Sequence, residues 1–246
     1  MWDDTRQLNA ISLALVLAAA ALALWGAMAW LVRQPAFAIR EVAVTAPLAR
    51  ASGAHLESIV REELAGTFFT MDLERARRAL AQVPWVRSIG LRRQWPHRLE
   101  IVVEEQAPLA RWNDSGLVNM RGEVFVADWN GELPQFAGPE GQSVAMAARY
   151  REWEAALAPL ALAVRALTLS PRGGWQIGAA GAQGPLTIEL GREDPAGRLS
   201  RFVAAHDATI GALARAGRPI EQVDLRYRNG FAVRVPGFRE KPVRKS

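Results

Sequence analysis

The sequence predicts an α+β fold carried on one apolar helix, and three observations predict it. Residues 10–32 form an apolar run without a charge. Residues 37–106 then change pattern in the order strand, helix, helix, strand, strand. From residue 107 short extended runs separated by turn residues dominate, with two helical stripes among them.

The run from Ala10 to Val32 has Ser12 as its only clearly polar side chain. At about 1.5 Å per residue a helix of this length crosses a hydrocarbon core of about 30 Å. A lone strand would leave its backbone groups unpaired in lipid, so a helix is the only spanning solution, and Trp25 and Trp30 suit the interface. The Ala27-Met28-Ala29 triplet would suit a cleaved signal, but the run is longer than a signal core, and a retained anchor is expected. Arg6 on one side faces Arg33 and Arg40 on the other, so local charge does not decide the orientation. A tail of residues 1–9, acidic at Asp3 and Asp4, and a large trailing part without cysteine fit the amino terminus inside and the bulk outside.

Ile39, Val42 and Val44 begin a strand that Ala46-Pro47 ends. Leu56, Ile59, Val60 and Leu64 follow helical spacing, with Ser52 as a cap and Gly66 closing the far end. Asp72 caps a second helix with the stripe Leu73, Ala76 and Leu80, stopped by Pro84. Trp85 reads as a core anchor. Val86 to Arg92 and Leu99 to Glu105 are two strands joined at Gln94-Trp95-Pro96-His97, with Ile101 and Val103 opposite Glu100, Val102 and Glu104.

In the second part Leu109–Trp112, Leu117–Met120 and Val124–Ala127 read as a β-meander turning at Asp114-Ser115-Gly116 and Arg121-Gly122. Met146, Tyr150, Trp153, Leu157 and Leu160 share one helix face. Strands follow at Ala163–Ser170, Trp175–Ile177 and Leu186–Leu190. One helix from about Pro195 carries Leu199, Phe202, Val203, Ile210 and Leu213. Val223–Tyr227 and Phe231–Val235 form a hairpin across Arg228-Asn229-Gly230, before a charged tail, residues 237–246, that reads as disordered.

The chain of 246 residues is 50% hydrophobic and 22% charged, enough for two domains of about 70 and 130 residues. Its charge of +5 is almost wholly arginine, scattered rather than clustered, which argues against nucleic acid. Without cysteine, disulfides, thiolate catalysis and the usual zinc sites are excluded. His55, His97 and His206 lie on different elements without ligand spacing, so no metal is expected. No nucleophile elbow occurs, and Ser115 is a turn former. The glycines from Gly173 to Gly184 do not match a phosphate loop. Glu104 and Glu105, being adjacent, point to opposite strand faces. Neither a catalytic residue nor a cofactor site emerges, and no small-molecule substrate is expected.

Arg93-Gln94-Trp95-Pro96, Leu99-x-Ile101 and the run Glu105-Gln106-x-Pro108-x-Ala110-Arg111-Trp112-Asn113, preceded by Pro84-Trp85, strongly resemble the signature of the FtsQ/DivIB cell-division family. Leu190-Gly191-Arg192-x-Asp194, Arg198-Leu-x-Arg201-Phe202 and Val223-Asp224-Leu225-Arg226-Tyr227 continue the resemblance over nearly the whole chain. It implies a single transmembrane helix (10–32), a POTRA domain (37–106) and a mixed β-sheet domain with flanking helices (107–236). It also implies an inner-membrane, mainly periplasmic divisome scaffold at the septum that binds FtsB of the FtsB–FtsL complex by strand addition at its carboxyl-terminal edge. Other divisome proteins would meet the POTRA domain and the span.

On that resemblance the partner-binding residues are Arg172, Arg226, Tyr227, Gly230, Phe231 and Val233. Arg226 and Tyr227 would end the penultimate strand, the guanidinium holding a partner carboxylate through two parallel bonds. Gly230 would take a positive φ, and Phe231 and Val233 would flank the added strand. Two rival classes are a POTRA-bearing component of outer-membrane protein assembly or secretion and an anchored periplasmic cell-wall hydrolase. The first would normally continue into a membrane β-barrel with many alternating amphipathic strands, which is not expected of this sequence.

Overall fold

The computed structural model describes residues 5–45, 48–63 and 66–236. Asp3, Asp4, the Ala46-Pro47 strand stop, Leu64 and the tail 237–246 lie outside the described residues. The chain divides into two compact units, Met1–Gln106 and Ala107–Ser246.

Helix α1 (Thr5–Leu31) opens the first unit. Its stretch Arg6–Leu31 is long and apolar enough to cross a membrane, and no other described helix is. No protein face covers it: Leu24, Trp25 and Trp30 are 71%, 73% and 67% exposed.

The globular part of this unit comprises β1 (Glu41–Val44), α2 (Gly53–Glu63), α3 (Leu73–Leu80), β2 (Val86–Gln94) and β3 (Arg98–Glu105). The strands align as β1-β3-β2, with β1 parallel and β2 antiparallel to β3. Ser52 caps α2 through its hydroxyl, which accepts from His55 N at 3.4 Å. The Asp72 carboxylate caps α3 by accepting from Glu74 N and Arg75 N, satisfying donors that have no partner within the helix. Leu56, Val60, Leu80, Leu99 and Ile101 are fully buried between the helices and the sheet, whereas Val102 faces solvent, as the two-residue period of β3 requires.

Trp85 departs from the sequence reading. It is only half-buried and lies outside the core. Its φ of 72° turns the ring outward, where the Arg50 guanidinium stacks 5.0 Å from the ring centroid. Glu105 accepts from Ala49, Arg50 and Ala51 N at 3.0, 3.0 and 2.7 Å, so Trp85 and Glu105 together hold the segment leading into α2.

The second unit is built on a nine-stranded sheet ordered β12-β11-β10-β9-β8-β7-β4-β5-β6. Its strands are β4 (Pro108–Trp112), β5 (Gly116–Asn119), β6 (Val124–Phe125), β7 (Gln135–Ala137), β8 (Ala163–Leu169), β9 (Trp175–Gly181), β10 (Gly184–Gly191), β11 (Gln222–Asp224) and β12 (Ala232–Arg234). The expected meander is β4-β5-β6. The sequence reading missed β7, which pairs in parallel with both β4 and β8 and joins the meander to the rest of the sheet.

Helix α4 (Ser143–Leu157) buries Met146, Tyr150, Trp153 and Leu157, the face expected from their spacing, and a short 3-10 turn carries Leu160. The Trp153 ring meets Trp175 edge-on at 5.1 Å. The single helix expected from Pro195 is two, α5 (Pro195–Ala205) and α6 (Ile210–Arg215). Between them the Thr209 hydroxyl donates to Ala205 O at 2.6 Å, closing a turn at His206. Together α5 and α6 form the crossover that brings β11 in parallel beside β10.

Candidate functional site

Strand β12 is the edge of the large sheet. It pairs on one side with β11, in the antiparallel register Gln222↔Arg234, Val223↔Val233 and Asp224↔Ala232, and among the described residues its other side has no neighbouring strand. Phe231, Val233 and Val235 point toward the core and Ala232 and Arg234 outward, so no inward charge guards the edge. Phe231 is fixed against α5 by an edge-on contact with Phe202 at 6.2 Å.

The loop between β11 and β12 differs from the tight hairpin expected. Strand β11 ends at Asp224, and Arg226 and Tyr227 stand beyond it in the loop. Gly230 is exposed and is not among the positive-φ glycines. The longer loop closes without the strained turn that would have required that conformation, so Gly230 does not fill the turn role expected of it.

Arg226 is already engaged within the chain. Its Nε donates to Asp224 Oδ1 at 2.9 Å and its Nη2 to Oδ2 at 2.7 Å, while its backbone N also donates to Oδ1 at 3.0 Å. The fork expected to grip a partner carboxylate therefore grips Asp224 through Nε and Nη2. These bonds hold the Asp224 carboxyl below its ordinary range, against a smaller upward push from burial.

Tyr227, Gly230 and Phe231 line one groove of about 380 Å³, whose opposite wall is Arg198 and Arg201 of α5. Val233 lines the adjoining groove of about 520 Å³ with Leu213, Arg218 and Arg234. Tyr227 is 59% exposed, an aromatic ring left facing solvent beside an open edge. Arg172 is exposed on the turn from β8 to β9, two strands inward from β11. It lies at the same sheet end as Arg226, since Trp175 pairs with Gly191 and Asp224 with Glu189, but it lines neither groove.

Sequence reasoning missed Arg198 and Arg201 as site residues. The Arg198 side chain is 12% exposed and donates through Nη1 to the Leu190 carbonyl at 2.6 Å, so it fixes the end of β10 while its charge stays at the groove. Their spacing of three on α5, beside the buried Leu199 and Phe202, was the signal available. Arg218, Arg228 and Arg234 line the same grooves, with Asp224 as the acidic residue among their lining.

Comparison with known proteins gives two family matches. Residues 37–106 match the POTRA domain, FtsQ-type, and residues 110–226 match the cell division protein FtsQ/DivIB carboxyl-terminal family; the second match stops short of β12. Among curated relatives, the cell division protein FtsQ of Burkholderia pseudomallei is 39% identical, covering 97% of this chain and 96% of the relative. That of Bordetella pertussis is 36% identical, covering 95% and 92%, and that of Nitrosospira multiformis 35% identical, covering 95% and 99%.

Proposed function

The chain belongs to the FtsQ/DivIB family of cell-division proteins, and from that premise we propose that it is a non-enzymatic divisome scaffold that captures FtsB of the FtsB–FtsL complex by strand addition at β12. In this reading α1 anchors it in the inner membrane, the globular part of the first unit and the second unit lie in the periplasm at the septum, and that globular part and the span meet other divisome proteins.

The observation that carries the reading is the free edge of β12. An edge strand presents unpaired N–H and C=O groups that a partner chain can complete, and backbone pairing supplies affinity while flanking pockets supply selectivity. Tyr227 adds apolar area at one end of the edge, and Arg198, Arg201 and Arg228 add positive charge. Charge of this kind raises association rate and selectivity more than affinity.

The test is a titration of the full chain, reconstituted in lipid nanodiscs, with the periplasmic part of FtsB–FtsL. The wild type binds, whereas Tyr227→Ala and Phe231→Pro bind at least about tenfold more weakly, a loss of roughly 1.4 kcal/mol. Unchanged binding by both variants, with native circular dichroism, would place the interface elsewhere. Failure of the wild type to bind would contradict the proposed function itself.

A further inference from the structure

The end of the first unit nearest α1 is built from three segments that converge there and all present aromatic rings. Phe37 follows the span by a few residues, and its carbonyl accepts from Phe68 N at 2.7 Å. Thr67, itself buried, donates from its hydroxyl to the Val32 carbonyl at 2.6 Å, which sets the loop between α2 and α3 at the level where the span ends. The Phe69 ring packs edge-on against Phe37 at 5.2 Å and Phe68 at 5.3 Å, yet remains 48% exposed.

The third segment is the tip joining β2 and β3. The His97 carbonyl accepts from Arg40 N at 2.9 Å, which places this tip beside the start of β1. Arg93, next to last in β2, donates from Nη2 to the Met71 carbonyl at 2.7 Å, tying the phenylalanine loop to the strand that leads into the tip. At the tip Trp95 is 73% exposed. Phe69 and Trp95 are exposed and Phe37 and Phe68 half-buried, and Arg33 and Arg40 accompany them on the short link from the span.

We propose that this end of the unit is a lipid-binding surface, with Phe68, Phe69 and Trp95 seated in the interfacial layer of the bilayer that α1 crosses. The proposal rests on the reading of α1 as a membrane span. The bilayer is the occupant because the Thr67 to Val32 bond fixes the height of Phe68 and Phe69 at the end of the span, continuous with Trp30, and the Arg40 to His97 bond brings the Trp95 tip to the link that follows it. Indole and phenyl rings favour that layer, and flanking arginines favour anionic headgroups. Exposed to water, the same rings would form a needless apolar patch.

The absence of native cysteine makes single-site labelling direct. A nitroxide is placed in the full chain at Phe69→Cys, at Trp95→Cys, which keeps both phenylalanines, at Leu22→Cys within α1, and at Val102→Cys, exposed on β3. Each chain is reconstituted in phosphatidylethanolamine/phosphatidylglycerol vesicles without any partner protein. Collisional accessibility to oxygen and to a water-soluble nickel chelate is then compared.

The expected result is a loss of nickel accessibility and a gain in oxygen accessibility at residues 69 and 95 relative to 102, approaching the values at 22. An aqueous reading at either residue 69 or residue 95, with residue 22 in lipid, overturns the proposal and points to a protein partner for the aromatic end. An aqueous reading at residue 22 overturns the membrane-spanning reading and the proposal with it. Far-UV circular dichroism matching the parent chain certifies that each variant is folded.

Discussion

Arg226 folds back onto Asp224, two residues before it, with Nε and Nη2 at 2.9 and 2.7 Å from the two carboxylate oxygens. The same carboxylate accepts from the Arg226 backbone N, so one acid fixes both the side chain and the start of the loop carrying Tyr227. Because the guanidinium is 60% exposed, solvent screens the pair and it adds little to stability, about 0.5 kcal/mol. Its effect is on preorganisation of the loop. Asp224→Ala is expected to leave the melting temperature within a few degrees of wild type and to weaken FtsB–FtsL binding about tenfold, read by calorimetry.

The pH dependence of that contact follows from its sign. The carboxyl of Asp224 is held below its ordinary value, chiefly by the Arg226 bond. Its contribution is complete above the unfolded-state value of about 3.9 and is lost only as pH falls through the lower folded value. Binding is therefore expected to be flat between about pH 5 and 8 in any titration series.

Tyr227 and Phe231 line one groove but differ in what the fold asks of them. Tyr227 is largely exposed, so Tyr227→Ala is expected to cost binding about 2 kcal/mol while leaving thermal stability unchanged. Phe231 is half-buried against Phe202, so Phe231→Ala is expected to cost about 1–2 kcal/mol in folding as well. Paired melting and binding curves separate the two.

Glu105 carries a corresponding prediction for the first unit. Burial pushes its carboxyl upward, but bonds from Ala51, Arg50 and Ala49 N and the Arg50 charge outweigh that and hold it below the ordinary value. Glu105→Ala leaves the buried Ala51 N without its acceptor, while water can reach the exposed Ala49 and Arg50 N, and is expected to cost about 1 kcal/mol. Since the folded value is the lower one, this stability is present above about pH 4.3 and lost as pH falls through the folded value. Acid titration of wild type and Glu105→Gln, followed by circular dichroism, should show a shallower acid loss in the variant.

The parts of the fold that periodicity governs were legible. Met146, Tyr150, Trp153 and Leu157 fall on one buried face because a four-and-three step admits no other placement on a helix. Val102 alternates outward between buried Ile101 and Val103 for the equivalent reason in a strand. Strand β7 was not legible: three residues are too few to show a period, and its parallel partners are distant in sequence. The break between α5 and α6 was hidden because an apolar stripe reports a face, not continuity of the helix.

At the candidate site, the edge position of the last strand and the aromatic beside it were foreseen. The bond that occupies Arg226 was not: a regular strand would put Asp224 and Arg226 on one face but about 6.6 Å apart, whereas β11 ends at Asp224 and the carboxylate takes both the side chain and the backbone N of Arg226. Nor was the backbone of Gly230, which depends on a loop length that the dipeptide Asn229-Gly230 does not encode. Trp85 misled because a large apolar ring is usually buried; its positive φ aims it instead at Arg50.

The most direct test of the central claim is amide hydrogen exchange across residues 231–235 in the full chain, with and without saturating FtsB–FtsL. Strand addition predicts that alternate amides of this segment, those pointing away from β11, become protected on binding by about tenfold or more, because each gains a backbone acceptor. A complex that forms while exchange across β12 stays unchanged would contradict strand addition at this edge.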